Sequence, residues 1–282
     1  MEYFELNNGT KIPKMGLGVY KLTPSEAENS TEIALRNGYS LIDTANFYMN
    51  EKAVGRGIKN SSVGRNKVYL STKLWPSVYK RADEAIEETM KRLQVHSIDL
   101  LFLHQPVGDY ISAYKAIERA VKDGKVKSIG LSNFDIDKTQ EIIDKCEIKP
   151  AVMQIECHPY YTPIEMIDYL KKQDIRIMSW YPLGHGDVNM LEEPILFELA
   201  EKYAKTTAQI ILRWHIQNGF VVIPGSRNEE HILQNANIFD FEIDKMDMAK
   251  IADINKGKAY LKLNKLALKS LLLFRPDFEA QE

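Results

Sequence analysis

Cysteine is scarce in this chain. There are two, Cys146 and Cys157, too few for a disulfide scaffold and in no C-x-x-C or Cys/His spacing that would hold zinc. A reducing cytosol is therefore the expected setting, so the protein is expected to be cytoplasmic. A dominant charge of one sign is also missing. Among 282 residues, 37 basic ones face 39 acidic ones, so neither nucleic acid nor a membrane is expected as a partner. No run reaches the roughly 20 apolar residues that cross a bilayer. The opening stretch, MEYFELNNGTKIPKMGLG, lacks the basic-then-apolar order of a secretory leader, so none is expected. No G-x-G-x-x-G follows the first apolar run, which argues against a doubly wound open sheet. Linkers, low-complexity segments and internal repeats are not seen, and one domain over residues 1–282 is the expectation.

What the chain does have is a regular alternation. Short apolar runs fall at 15–18, 40–44, 68–72, 98–103, 126–131, 151–156, 175–180 and 220–223. They are apolar on both faces, as strands of a buried parallel sheet are, and most are about one βαβ unit apart. Helical patterns separate them. Ile86, Met90 and Leu93 fall on one helical face. TPSE at 23–26 and TPIE at 162–165 each read as a capping box with proline in the first turn. Before the first run, Asn8-Gly9 predicts a tight hairpin, since both residues tolerate positive φ. Eight strand–helix units predict an α/β fold, a (β/α)8 TIM barrel with an N-terminal hairpin.

Such barrels place their chemistry at the C-terminal strand ends. There the sequence offers Asp43 and Tyr48, Lys73, His104, Ser132 and Asn133, then Gln154, Glu156 and His158, then Trp180 and Tyr181, and finally Ser226 and Arg227. Each has a plain reading. Asp43 can cap a strand, Tyr48 can pack, Lys73 can be a solvated rim lysine or a Schiff-base lysine, and His104 can satisfy a turn. Together they offer more. An ammonium near a phenol favours the phenolate and lowers its pKa. Lys73, held by Asp43, could make Tyr48 a usable acid near neutral pH, with His104 positioning a substrate oxygen. No residue is an obvious nucleophile, so a bound cofactor is the natural hydride donor.

The motifs GYSLIDTANFYMNE, TKLW, LLFLHQP, GKVKSIGLSNF, MQIECHPY, YPLG, AQIILRW and VVIPGS…NEEHILQNANIFDFEI occur in that order. In this the chain resembles the aldo-keto reductases, in particular bacterial reductases of diketo-gluconate, methylglyoxal and other aldehydes. The resemblance implies reduction of an aldehyde or ketone by NADPH, with a tetrad of Asp43, Tyr48, Lys73 and His104 and Tyr48 as proton donor. It implies cofactor contacts from Val19, Asp43, Ser132, Asn133, Gln154, Trp180, Leu183, Ile223, Ser226, Arg227, Gln234 and Asn235, and a monomer.

Some positions depart from the family pattern. Trp180 stands where a tyrosine usually stacks on the nicotinamide, and Gln105 where many members have tryptophan. Gly225 and His231 replace the two basic residues that usually meet the 2′-phosphate, so NADH use is left open while Arg227 offers a replacement fork. Tyr20, Phe47, Trp75, His104 and Tyr110 are the candidate substrate wall. The Leu/Lys-rich tail, with Lys262, Lys265 and Lys269, reads as an amphipathic helix closing over the barrel mouth; a membrane-surface or partner helix is the lesser alternative. Cys157 and His158 have no third metal ligand at readable spacing, so no metal is expected. Two rival readings are an aldolase-like Lys73 and a cofactor-binding regulatory subunit.

Overall fold

The structure, a computed structural model, describes residues 2–261 and 265–282. Two short strands, β1 (Tyr3–Glu5) and β2 (Lys11–Pro13), pair antiparallel, with Phe4 opposite Ile12. Eight more strands form one parallel sheet in sequence order. They are β3 (Leu17–Gly18), β4 (Leu41–Asp43), β5 (Tyr69–Leu74), β6 (Ile98–Leu103), β7 (Val126–Ser132), β8 (Val152–Glu156), β9 (Arg176–Trp180) and β10 (Val221–Val222). The sheet closes on itself. Met15 bridges Val222 in parallel, Gly16 N–H donates to the Val222 carbonyl at 2.9 Å, and Gly18 N–H donates to Pro224 at 3.2 Å. This is the expected (β/α)8 fold. Its strand boundaries differ from the sequence reading by one or two residues, the usual scatter at element ends. One shift matters: β5 runs past Thr72 to Leu74, so Lys73 lies within a strand rather than after it.

The helices lie between and after the strands: α1 (Pro24–Arg36), α2 (Glu51–Asn60), α3 (Ala82–Leu93), α4 (Tyr110–Lys122), α5 (Ile136–Lys145) and α6 (Ile164–Lys172). They continue with α7 (Val188–Leu191), α8 (Pro194–Tyr203), α9 (Thr207–Gln217), α10 (Glu229–Ala236), α11 (Lys245–Asp253) and α12 (Lys265–Ser270). The TPSE capping box forms as predicted. Thr23 accepts from the Glu26 N–H, and the Glu26 carboxylate accepts from the Thr23 N–H. The TPIE one does not: α6 starts at Ile164 after Pro163 with no side-chain cap. Thr162 is instead tied to Asn255 through its backbone, and its hydroxyl donates to the His158 carbonyl at 3.3 Å. Tertiary partners have overridden a correct local signal.

The barrel interior is filled, not hollow. Leu41, Leu100, Phe102, Val152, Met178 and Val221 pack in one buried cluster with Leu6 and Ile12 of the hairpin. Gly130 makes room there, since a Cβ on it would meet the Phe102 ring at 2.3 Å. The hairpin seals the bottom. Asn7 donates to the carbonyls of Pro150 and Asp174, and Asn8 to that of Lys127, all preceding or opening strands. Its turn is wider than a two-residue one: Leu6 N–H donates to Thr10, and only Gly9, at φ 78°, takes the left-handed conformation, not Asn8. With that end plugged, a ligand must enter from the other.

The chain's end crosses that other rim. Glu156 accepts from the backbone N–H groups of Tyr260 and Leu261 at 2.5 and 3.1 Å. Farther on, Phe278 is buried, and Arg92 pairs with Glu279 at 2.6 Å. Helix α12 supplies one of the expected turns, with Leu266 78% exposed. Lys262 lies outside the described residues.

Candidate active site

Four side chains from three successive strand ends meet at the open rim. Asp43 closes β4, a short 3-10 turn at Asn46–Tyr48 carries Tyr48, Lys73 lies in β5, and His104 follows β6. Parallel pairing staggers them by two residues per strand: Asp43 is opposite Ser71, two before Lys73, and Lys73 is opposite Phe102, two before His104. Lys73 Nζ donates to Asp43 Oδ2 at 2.6 Å and to the Thr44 carbonyl at 2.8 Å. Both side chains of the pair are excluded from water, at 0% and 2% exposure. Ser71 and Gln154 donate to the other Asp43 oxygen at 2.7 and 3.2 Å. The carboxylate is thus held on both oxygens, and the ammonium is aimed.

What it is aimed at is Tyr48. Lys73 Nζ lies 4.7 Å from the centre of the Tyr48 ring. His104 meets Tyr48 edge-on, ring centres 5.7 Å apart. Phe47 and Trp75 stack at 4.1 Å and both meet His104 edge-on, and Tyr20 leans on Tyr48 at 4.8 Å. Of the five candidate wall residues, His104 is in the tetrad and Tyr20, Phe47 and Trp75 pack around it. Tyr110 has different company: its ring packs on Phe134 and its hydroxyl donates to Glu141 on α5.

The electrostatics differ from the sequence expectation in one respect. Burial, and then the Asp43 charge, push the Tyr48 phenol well above its ordinary pKa of 10. Lys73 does not pull it down, because Asp43 neutralises the ammonium at 2.6 Å. Burial also pushes Lys73 down, opposed by Asp43. His104 is driven well below 6.5 by burial and by the Lys73 charge. It is therefore neutral at pH 7, and its Nδ1 has no hydrogen-bond partner among the described residues.

The residues expected at the cofactor lie at strand ends, in the turns that follow them and on α10. Ser132 ends β7, and Asn133 follows at φ 64°. Its side-chain oxygen accepts from Trp180 Nε1 at 3.0 Å, and its amide reaches Ser132 Oγ at 3.2 Å. Gln154 lies between Asp43 and Met178. Val19 N–H donates to the Asp43 carbonyl at 3.1 Å. Leu183 precedes the turn at Gly184–Gly186, where Lys21 Nζ reaches His185 Nε2 at 3.0 Å. Ile223 is buried after β10, its carbonyl 2.8 Å from where a Cβ on Gly18 would sit. A Cβ on Gly225 would come 2.9 Å from the Gly18 carbonyl. The two segments therefore pack backbone on backbone, with no room for a side chain between them. Ser226 and Arg227 then lead into α10, whose N-cap is Asn228 and which carries Gln234 and Asn235. Polar strand ends, a half-buried indole and a helix start fit a dinucleotide.

Two features of the rim were not assigned from sequence. Asn50 clamps the Tyr48 loop: it accepts from Thr44 at 2.8 Å and donates to the Val19 carbonyl at 3.0 Å. Phe274 caps the wall. Its ring meets Phe47 and Trp75 at 5.6 and 6.3 Å, and its carbonyl accepts from Trp75 Nε1 at 3.1 Å. Asn50 had a signal, since it closes the same motif as Asp43 and Tyr48. Phe274 had none, because its contacts are set by where the tail crosses.

The aldo/keto reductase family model matches residues 14–256. The chain belongs to the aldo/keto reductase family. It is 43% identical over 258 residues to the glyoxal reductase of Bacillus subtilis, covering 90% of this chain and 93% of that one. To the methylglyoxal reductase DkgA of Escherichia coli it is 38% identical, covering 90% and 94%. A solved aldo/keto reductase from Brucella melitensis superimposes with a TM-score of 0.87 at 37% identity, covering 90% of this chain and 99% of that one. The aldose reductase of Schistosoma japonicum gives 0.90 at 31%, covering 96% and 97%. This reductase therefore reduces carbonyls as a class. Its tail beyond residue 256 lies outside the family match.

Proposed function

We propose that this reductase converts aldehyde or ketone carbonyls to alcohols with NADPH, and that small 2-oxoaldehydes are its natural substrate class. The observation that carries it is the water-excluded Lys73–Asp43 pair beneath Tyr48, with a neutral His104 edge-on beside it. The substrate class rests on relatives whose names are glyoxal and methylglyoxal reductase.

Ser132, Asn133, Gln154, Trp180 and the Ile223–Asn235 segment would hold NADPH, which would supply the hydride for the carbonyl carbon. The rest falls to the chain. A phenol with a raised pKa keeps its proton until an alkoxide develops, and then gives it up, because an alkoxide is the stronger base. The phenolate left on Tyr48 finds the Lys73 ammonium, 4.7 Å from the ring centre, already paired with Asp43, so it is a strong base that regains a proton before the next turnover. Neutral His104 can donate one hydrogen bond to the carbonyl oxygen and fix its position. Phe47, Trp75 and Tyr20 keep bulk water from the oxygen. Lys73 stays an electrostatic partner, not a Schiff-base amine, because its Nζ is spoken for by Asp43 and Thr44.

Tyr48→Phe tests the assignment. Turnover of methylglyoxal should fall by about 10²–10⁴-fold, while NADPH binding, read by fluorescence, stays within two-fold. Near-normal turnover in the variant would overturn Tyr48 as the proton donor.

A further inference from the structure

The adenosine end of the cleft has one permanent cation where the family usually places more. From Pro224 to Asn235 the charged residues are Arg227, Glu229 and Glu230, with His231 beside them. Gly225 contributes no side chain, and the Gly18 carbonyl fills the space one would need. Any recognition of a 2′-phosphate therefore rests on Arg227. Yet Arg227 is engaged elsewhere: its Nη1 donates to Glu26 Oε1 at 3.1 Å. Glu26 is not a loose surface carboxylate. Its Oε2 accepts from the Thr23 backbone N–H at 3.0 Å, so the capping box of α1 fixes it. The same hydrogen bonds hold its pKa below the ordinary value, so it is ionised at neutral pH.

We propose that Glu26 sets the coenzyme selectivity of this reductase by holding Arg227 across the cleft from the ribose 2′ position. The inference rests on the cofactor placement given above. A 2′-phosphate must compete with Glu26 for the Arg227 guanidinium and sit near that carboxylate and the first-turn pair Glu229 and Glu230, all of like charge. A free 2′-hydroxyl meets no such opposition, and a carboxylate can accept its hydrogen bond. Glu26 thus lowers affinity for NADPH selectively and brings NADH close to it.

The test uses the full chain and four probes: NADPH, NADH, 2′,5′-ADP and 5′-AMP. Binding is read directly by calorimetry or by quenching of intrinsic fluorescence. Glu26→Gln is the informative variant, because glutamine preserves the capping box. It should tighten NADPH and 2′,5′-ADP about five- to ten-fold and leave NADH and 5′-AMP within two-fold. Arg227→Met should weaken the two 2′-phosphate probes about ten-fold, and adding Glu26→Gln to it should recover clearly less than Glu26→Gln gains alone. An unchanged NADPH-to-NADH ratio in Glu26→Gln, or additive effects in the double variant, would overturn the proposal. Failure of the wild-type chain to bind any of the four would instead strike at the cofactor reading itself.

Discussion

Replacing Asp43 by Asn removes one charge from the centre of the site and little else. The amide oxygen can still accept from Ser71 and Gln154, which now meet Oδ1 at 2.7 and 3.2 Å. What is lost is the partner of a fully buried ammonium, whose remaining acceptor is the Thr44 carbonyl at 2.8 Å. Breaking such a pair costs about 3–5 kcal/mol, because the surviving charge stays desolvated. The sign of the pH dependence follows from Lys73. Burial already lowers its pKa in the folded state from 10.5, against the pull of Asp43. Between the folded and unfolded values the unfolded chain binds the extra proton, so stability rises with pH across that window. Without Asp43 the window widens downward, and Lys73 sheds its proton more readily as the pH climbs. The deficit should therefore be greatest near pH 7 and shrink by pH 9.5. In urea unfolding, at a slope of about 3 kcal/mol per molar, the midpoint at pH 7 should fall by about 1–2 M. Equal deficits at pH 7 and 9.5, or a fall below about 0.3 M, would refute the claim that an uncompensated ammonium is the cause.

Two further substitutions probe the scaffold around this pair. Phe274→Ala should remove the cap on Phe47 and Trp75, raising KM for methylglyoxal several-fold with kcat within two-fold; steady-state kinetics decides, and unchanged KM would separate the tail from the substrate wall. Gly130→Ala should drive a methyl into the Phe102 ring, 2.3 Å from where it would sit, and destabilise the barrel by about 1–3 kcal/mol, visible as a lowered unfolding midpoint.

The sequence made the barrel readable because a strand buried on both faces must be apolar throughout, and its polar residues then collect at the ends. Asp43, Ser132 and Trp180 lie on the last residue of their strands for that reason. Local signals worked where nothing competed with them: the Thr23–Glu26 box forms, and Ile86, Met90 and Leu93 are buried. They failed where a distant partner offered more, as when Asn255 took Thr162 out of its box. The phenol's direction of shift was misread because spacing reveals neighbours but not balance. Lys73 lies near Tyr48, but its charge is already answered by Asp43, and depth of burial cannot be read from a motif.

The tail shows why the substrate wall was the least legible part. Its composition, leucine with lysine, suggested an amphipathic helix, yet its few helical turns leave Leu266 exposed, and Leu273 farther on is exposed as well. Its ordered contacts come from elsewhere. Glu156 grips its start through two backbone N–H groups, Trp75 grips its middle through the Phe274 carbonyl, and Lys52 and Arg92 hold Glu279 and Gln281 at its end. Most of these are bonds to main chain, which every residue can make. A sequence reading weighs side chains and so sees no reason for the tail to lie there. Fixed by its backbone, the tail leaves its side chains free to differ, and Phe274 reaches the wall. Selectivity among carbonyl substrates can therefore change at position 274 while the tetrad, held by Asp43 and Lys73 deep in the barrel, stays as it is.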